Sequence, residues 1–330
     1  MSTDAAYRAT PGDANPADQH PAEEPWFLFA FDHRDSFRRM LGSPAHADVV
    51  AAKRALFDGF VEWHATAIDH RGAAILIDEE YGSGIVADAG RLGVRVVMPV
   101  ERSGQRELGF EYGGAYREHI ERSDPAAVKV LLRWDPLEGV DGVNARQAVR
   151  LAELSAWMRS VGRTLIVEFL IPPSDDSSER ADRMASAVVQ IRASGTDPQW
   201  WKVEGVDEVD HARRVADAIA AGGSTARAVV LGRGVEMERA AHWLACAAQV
   251  ARFDGFAIGK TLWQEPMRRW LAGTTSRPAA VDEIAHRYGR LVTTWKTVRA
   301  GGLEPPLLAE REPKSRVSAI PPRPRGTGSG

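Results

Sequence analysis

Between residues 26 and 300 the chain alternates short apolar runs with longer segments of helical periodicity. Eight runs have strand character, with β-branched and aromatic residues bounded by turn formers. They are Phe27–Arg34, Ala74–Glu80, Arg95–Glu101, Ala127–Arg133, Thr164–Ile171, Trp200–Glu204, Ala228–Gly232 and Gly255–Gly259. Apolar residues recur at helical spacing over Ser43–Arg71, Ala145–Val161, Val209–Ala221, Glu236–Ala251 and Val281–Val298. Eight βα units of roughly 30 residues each match a single (β/α)8 barrel. A doubly wound open sheet would carry a glycine cluster after its first strand. Here that strand ends Phe31-Asp32-His33-Arg34 instead.

Several of the runs carry isolated ionisable residues, gathered toward their C-terminal ends, where barrels place their chemistry. Asp32, His33 and Arg34 close the first run; Asp78, Glu79 and Glu80 the second; Glu101 the third; Arg133 the fourth. Lys129 lies within the fourth, Glu168 within the fifth, and Lys202 and Glu204 in the sixth. Strand alternation sets Phe27, Phe29 and Phe31 on one face, toward the helices, and Leu28, Ala30, Asp32 and Arg34 on the other, toward the barrel mouth. By the same parity Lys129 goes with Arg133, and Lys202 with Glu204.

A lysine in an apolar run is driven toward its neutral, nucleophilic form by desolvation, the state required for Schiff-base chemistry. Lys202 is the candidate nucleophile and Lys129 its rival; two lysines sharing a site are expected to lower each other's pKa. Glu168 is the candidate proton carrier, its pKa set by burial and the lysines acting in opposite directions. The plain structural alternative makes the same residues barrel-core ion pairs. Asp32 and Arg34 either orient substrate or form a salt bridge at the rim. Gly232-Arg233-Gly234 and Gly259-Lys260 end consecutive strands, a corner where barrels often bind phosphate through backbone N–H groups.

Composition narrows the function classes. The chain has 330 residues, a formal net charge of −3, 44% hydrophobic and 26% charged residues. That balance gives no electrostatic case for nucleic acid or membrane partners. No apolar run approaches the roughly 20 residues of a membrane helix. A single cysteine, Cys246, precludes an intrachain disulfide and sits in an apolar helical run, so a core position and a cytoplasmic setting are expected. The nine histidines lack metal-ligand spacing, so no metal and no cofactor are expected. Residues 1–25 and the Pro/Gly/Arg-rich stretch 301–330 read as a disordered leader and tail.

The segments Ile75–Gly82, Val128–Leu131, Val167–Leu170, Trp201–Glu204 and Gly255–Lys260 resemble the barrel motifs of the class I tagatose-1,6-bisphosphate aldolase group. Closer still is the resemblance to the aldolase-like domain often fused to the inositol-pathway sugar kinase. That domain is linked to cleavage of 2-deoxy-5-keto-gluconate 6-phosphate. The resemblance covers residues 26–297. It implies a metal-independent Schiff-base aldolase acting on a phosphorylated sugar, with Lys202 as the nucleophile. It implies Lys129 as the supporting lysine, Glu168 for proton transfer, and Arg233 and Lys260 near the phosphate. Family habit points to a homo-oligomer. The chain departs from the tagatose pattern at His33, where glutamine is usual, and at Lys260, where arginine is usual. If malonate semialdehyde is the second product of the inositol-pathway substrate, its carboxylate needs a cation, and Arg34 or Arg133 could supply it. Three other readings stand beside this one: another ketose-phosphate aldolase, of tagatose-bisphosphate or sulfo-sugar type; a non-catalytic sugar-phosphate binder; and an isomerase built on Glu168 and a second carboxylate.

Overall fold

The computed structural model describes residues 24–42, 44–138 and 142–302. Eight parallel strands close into a barrel in chain order, with β1 paired to both β2 and β8. The strands are β1 (Trp26–Ala30), β2 (Ala73–Leu76), β3 (Arg95–Pro99), β4 (Ala127–Arg133), β5 (Leu165–Leu170), β6 (Trp200–Glu204), β7 (Arg227–Leu231) and β8 (Phe253–Ile258). Among the described residues ten α-helices surround them: α1 (Asp35–Met40), α2 (His46–Thr66), α3 (Glu79–Arg91), α4 (Tyr116–Ser123), α5 (Val143–Ser160), α6 (Ser177–Ala193), α7 (Val209–Ala220), α8 (Met237–Ala248), α9 (Lys260–Leu271) and α10 (Arg277–Arg299). The expected (β/α)8 barrel is therefore the observed fold. The leader and tail expected at 1–25 and 301–330 lie outside the described residues, except for Glu24, Pro25, Gly301 and Gly302.

Period-two alternation divides the apolar residues into two separate clusters. Leu28, Ala30, Leu76, Val97, Trp200 and Val229 belong to one, which fills the barrel interior. Phe27, Phe29 and Phe31 belong to the other, between strands and helices. There the Phe29 ring meets Tyr288 of α10 edge-on at 5.5 Å, and the Tyr288 hydroxyl donates to the Phe27 carbonyl. Barrel closure needs a glycine at 255. Its φ is +123°, and a Cβ there would collide with the Trp26 carbonyl of the neighbouring strand.

Two strands end four residues short of their expected bounds. β1 stops at Ala30, and although Phe31 N–H still bonds the Leu76 carbonyl, residues 32–34 leave the sheet and lead into α1. β2 stops at Leu76. Asp78 accepts from Tyr81 N–H at 3.0 Å as the N-cap of α3, so Glu79 and Glu80 are helical. An aspartate followed by good helix formers favours capping over strand extension. Asp176 likewise caps α6 through Ser178 and Glu179 N–H.

Beneath the end of β1 lies a buried ion pair absent from the sequence reading. Lys53 of α2 is 0% exposed. It donates to the Phe31 carbonyl at 2.9 Å and pairs with Asp78, while its ammonium faces the Phe37 and Tyr81 rings. Burial draws the Lys53 pKa down and the Asp78 pKa up, each opposed by the partner's charge. Removing one member of such a pair strands the other in a dry environment. Lys53→Met is therefore expected to destabilise the protein by about 3–5 kcal/mol. In chemical denaturation, Lys53→Met/Asp78→Asn should recover part of that loss, since asparagine can still cap α3. A double variant no more stable than the single would contradict this account.

Candidate active site

The barrel mouth opens into a cavity of about 480 Å³. Its floor is built where β4, β5 and β6 and the segments just after β1 and β3 bring ionisable residues to one level. Glu168 of β5 stands beside Lys202 of β6 in the sheet register, and the Lys202 ammonium donates to Glu168 Oε2 at 2.9 Å. Lys129 of β4 lies 3.2 Å from the same oxygen, 2.8 Å from Asp32 Oδ2 and 2.7 Å from Glu101 Oε1. Lys129 is 2% exposed. One ammonium is thus ringed by three carboxylates, and the middle carboxylate is shared with a second lysine.

The electrostatics follow from this arrangement. Burial pulls the Lys129 pKa down, but Asp32, Glu101 and Glu168 outweigh it and hold the ammonium well above its ordinary range. The expected mutual lowering of two lysines therefore fails at Lys129, because three anions outweigh one neighbouring cation. Burial raises Glu168, yet Lys202 and Lys129 together keep it below the usual carboxylate value. Asp32 is likewise held well below its usual value, with Lys129 the main counterweight to burial. Glu101 moves the other way: burial, reinforced by the charge on Asp32, raises its pKa despite Lys129. The Glu101 Oε2 atom also accepts from Leu131 N–H.

Other residues singled out in the sequence take different places. Arg34 lines the cavity, but its guanidinium donates to Glu111 at 2.8 Å and to the Glu101 carbonyl at 2.6 Å. It holds the hairpin that follows β3, where Glu101 bridges Phe110 in antiparallel fashion. Arg233, at φ +50°, lines the cavity with its guanidinium bound to Glu204 at 2.6 Å. Burial lifts the Glu204 pKa against that bond. Arg133 is exposed at the end of β4 and lines the cavity without an ion pair among the described residues. Gly232, Gly259 and Lys260 line its far side. Asp78, Glu79 and Glu80 do not reach the mouth. Asp78 pairs with Lys53, and Glu79 bonds Tyr112, His119 and Ser123.

Three features escaped the sequence reading. Glu101 was visible as a strand-end carboxylate, but its bond to Lys129 depends on the sheet order. The hairpin 101–110 roofs one side of the cavity and is stapled to α5, where Gln147 accepts from Leu108 N–H and Arg146 and Arg150 hold Glu107. His33 lies against the edge of Trp263 at a centroid distance of 5.4 Å. Cys246 is buried, as its apolar setting implied. No group of three or more His, Cys, Asp or Glu is arranged to hold a metal among the described residues. No helix there is long and apolar enough to cross a membrane.

The fold recurs in solved structures. The fructose-bisphosphate aldolase of Plasmodium falciparum, solved with TRAP and a small-molecule inhibitor, aligns with a TM-score of 0.63 at 13% identity, covering 83% of this chain and 91% of that one. Cgl0159 of Corynebacterium glutamicum aligns with a TM-score of 0.53 at 19% identity, covering 80% and 85%. The fructose-bisphosphate aldolase of Slackia heliotrinireducens gives 0.52 at 13%, covering 82% and 85%. At these identities the likeness is one of fold. No curated protein matches the sequence. Residues 15–299 match the DUF2090 family, described as "Uncharacterized protein conserved in bacteria", and the chain belongs to that family.

Proposed function

We propose that the protein is a class I aldolase that cleaves a phosphorylated keto sugar or sugar acid through a Schiff base on Lys202. The observation that carries this reading is the single oxygen, Glu168 Oε2, lying within 3.2 Å of both Lys202 and Lys129 while Lys129 is held by two further carboxylates. An amine that attacks a carbonyl must have a free electron pair. Lys129, locked as an ammonium by three anions, lacks one. Lys202 has a single carboxylate partner, Glu168, so its charge is far less firmly held.

In this mechanism the neutral Lys202 amine adds to the substrate ketone. The carbinolamine loses its oxygen as water, leaving an iminium that draws electrons from the adjacent carbon–carbon bond. Glu168, held ionised by its two lysines, removes the proton of the hydroxyl on the far carbon of that bond, the carbon that becomes the aldehyde. The bond breaks, the aldehyde departs, and the electron pair remains on the triose as an enamine. Protonation at carbon and addition of water then release dihydroxyacetone phosphate and restore the amine. Lys129 stays charged and steadies the anionic carboxylates and developing oxyanions. The mechanism calls on no metal.

The sequence motifs favour 2-deoxy-5-keto-gluconate 6-phosphate as substrate, with malonate semialdehyde as the second product, as in myo-inositol catabolism. Arg133 fits the carboxylate of such a substrate, since Arg34 is engaged with Glu111. A ketose bisphosphate or sulfo-sugar phosphate is the alternative, and the fold shared with fructose-bisphosphate aldolases supports the general class.

Borohydride reduction in the presence of dihydroxyacetone phosphate, followed by peptide mass mapping, is expected to place a triose phosphate adduct on Lys202. An adduct on Lys129 would reverse the two roles, and no adduct would remove the Schiff base from the mechanism. Lys202→Met should lower turnover on the order of 10⁴-fold or more without unfolding the barrel. Full activity in that variant refutes the assignment. Glu168→Gln should cut turnover by about 10²- to 10⁴-fold and slow adduct formation, because its amide cannot accept the proton. An unaffected trapping rate there would transfer the base role elsewhere.

A further inference from the structure

β4 outruns its neighbour in the barrel. β3 pairs with it only as far as Pro99 opposite Lys129, while β4 continues to Arg133. The edge from Lys129 onward lies beside the cavity, and its backbone groups need other partners. Val100 N–H, just past β3, bonds the Lys129 carbonyl at 2.9 Å. Glu101 accepts from Leu131 N–H at 3.1 Å. The Gln147 amide donates to the Arg133 carbonyl at 2.8 Å.

Gln147 sits in the second turn of α5, is 0% exposed and lines the cavity. Its Oε1 atom accepts from Leu108 N–H at 2.9 Å. A buried amide is costly to leave unpaired, and here each end is taken by a main-chain group from a different wall of the cavity. The near strand of the β3 hairpin reaches β4 directly, through Val100 and Glu101. Among the described residues the far strand is hydrogen-bonded to β4 only by way of Gln147. The carbonyls that follow are held by neutral amides too, Asp135 by Asn144 at 2.6 Å and Pro136 by Gln190 at 2.9 Å.

This clasp fixes the main chain of Arg133 and leaves its guanidinium without an ion pair among the described residues. Arg34 and Arg233, by contrast, have theirs engaged by Glu111 and Glu204. The hairpin acid nearest Leu108 in sequence, Glu107, is held by Arg146 at 2.9 Å and Arg150 at 2.7 Å, and Arg150 also donates to the Leu108 carbonyl at 2.7 Å. Arg146, Gln147 and Arg150 project from one turn of α5. That turn neutralises the hairpin carboxylate and anchors the end of β4 through a group that carries no charge. A carboxylate in place of Gln147 would have given Arg133 a counterion; the amide does not.

Glu168 of β5 stands between Lys202 of β6 and the inner face of β4. A substrate carbon bonded to Lys202, with the hydroxyl to be deprotonated facing Glu168, carries its aldehyde half toward β4. We propose that Gln147 is the positioning residue for that half. It holds the β3 hairpin and the end of β4 at a fixed separation. It thereby presents the Arg133 guanidinium to an anionic group, carboxylate or phosphoryl, at the far end of the departing aldehyde. This rests on reading the mouth as an aldolase site with Lys202 as the nucleophile.

The test is a double-mutant cycle in the direction of aldol synthesis on the full chain. Dihydroxyacetone phosphate is held saturating, and glyceraldehyde 3-phosphate, malonate semialdehyde and uncharged glyceraldehyde are varied in turn. The wild-type protein is expected to favour one of the two anions over glyceraldehyde, and which one identifies the group that Arg133 meets. Gln147→Met and Arg133→Met should each raise KM for that anion about tenfold, the scale of one charge-assisted contact. Borohydride trapping of the triose on Lys202 should proceed in Gln147→Met at close to the wild-type rate, because the Schiff base forms before the aldehyde enters. The double variant should be no worse than Arg133→Met, since residues acting as one unit are not additive. If Gln147→Met fails to fold, Gln147→Glu takes its place: it keeps the shape and the bond from Leu108 N–H but loses the donor to the Arg133 carbonyl. With the triose adduct still forming on Lys202, multiplied effects in the double variant, an unchanged KM in the Gln147 variant, or trapping slowed as much as KM rises would each overturn the proposal. So would a wild-type protein that uses glyceraldehyde as readily as the anions. A wild-type protein with no triose adduct on any lysine overturns the aldolase reading itself, and the proposal with it.

Discussion

Much of this structure depends on one buried ammonium. Lys129 sits at the centre of the barrel mouth with Asp32, Glu101 and Glu168 around it, contributed by β4, the segment after β1, the end of β3, and β5. Three carboxylates this close and this dry would not remain ionised without a central cation, and a lysine this buried would not stay charged without them. The cluster is self-consistent only when four strand ends converge at one level. Its members do not share the charge equally. Asp32 and Glu168 are pulled below their usual pKa values, and Glu101 rises. Burial and the ionised Asp32 carry Glu101 in that direction, so the site holds both deprotonated carboxylates and one with increased proton affinity. Such a spread of affinities within one cavity is characteristic of catalytic sites.

Around this cluster, several charged residues at the barrel mouth act as scaffold. Lys53 and Asp78 anchor the carbonyl immediately before Asp32. Arg34, two residues later, ties the β3 hairpin through Glu111 and the Glu101 carbonyl. Asp32 is therefore fixed from both sides of the chain, and Glu101 is fixed through its own backbone. Positioned groups of this kind lose little freedom when a substrate arrives, which is where a preorganised site gains its advantage over water.

The strands and their inward faces were legible because a period of two leaves a strong mark. Lys129, Glu168 and Lys202 fall on inward parity, and the phenylalanines of β1 fall outward, as alternation predicts. Strand ends were less legible. An apolar run continues past Ala30 and Leu76, and only the cap at Asp78 and the exit toward α1 stop the strands. The partners of Arg34 and Arg233 were not legible at all. Glu111 lies 77 residues from Arg34 and Glu204 lies 29 from Arg233. Those pairings come from hairpin geometry and from adjacent strand ends in a closed barrel. Lys53 was missed for a related reason. On a helix dominated by alanine and apolar residues, a single lysine has the pattern of a solvated face, and only the packing of α2 against the end of β1 buries it.

Charge is unevenly distributed between the floor and the rim of the mouth. Nine basic and five acidic residues line the cavity, in a chain whose formal net charge is −3. Four of the five acids lie at the floor and on the stapled hairpin, where lysines and arginines engage them, while Asp35 in α1 has no ion pair among the described residues. Arg39, Arg102, Arg106, Arg133 and Lys260 have no ion pair among the described residues. The rim therefore projects a net positive field around a floor whose charges are internally balanced. A field of that shape draws an anionic ligand toward the opening and orients it there. The floor does not need to supply net charge for binding. In the proposed mechanism its lysines and carboxylates are the groups that move protons, with affinities set by one another.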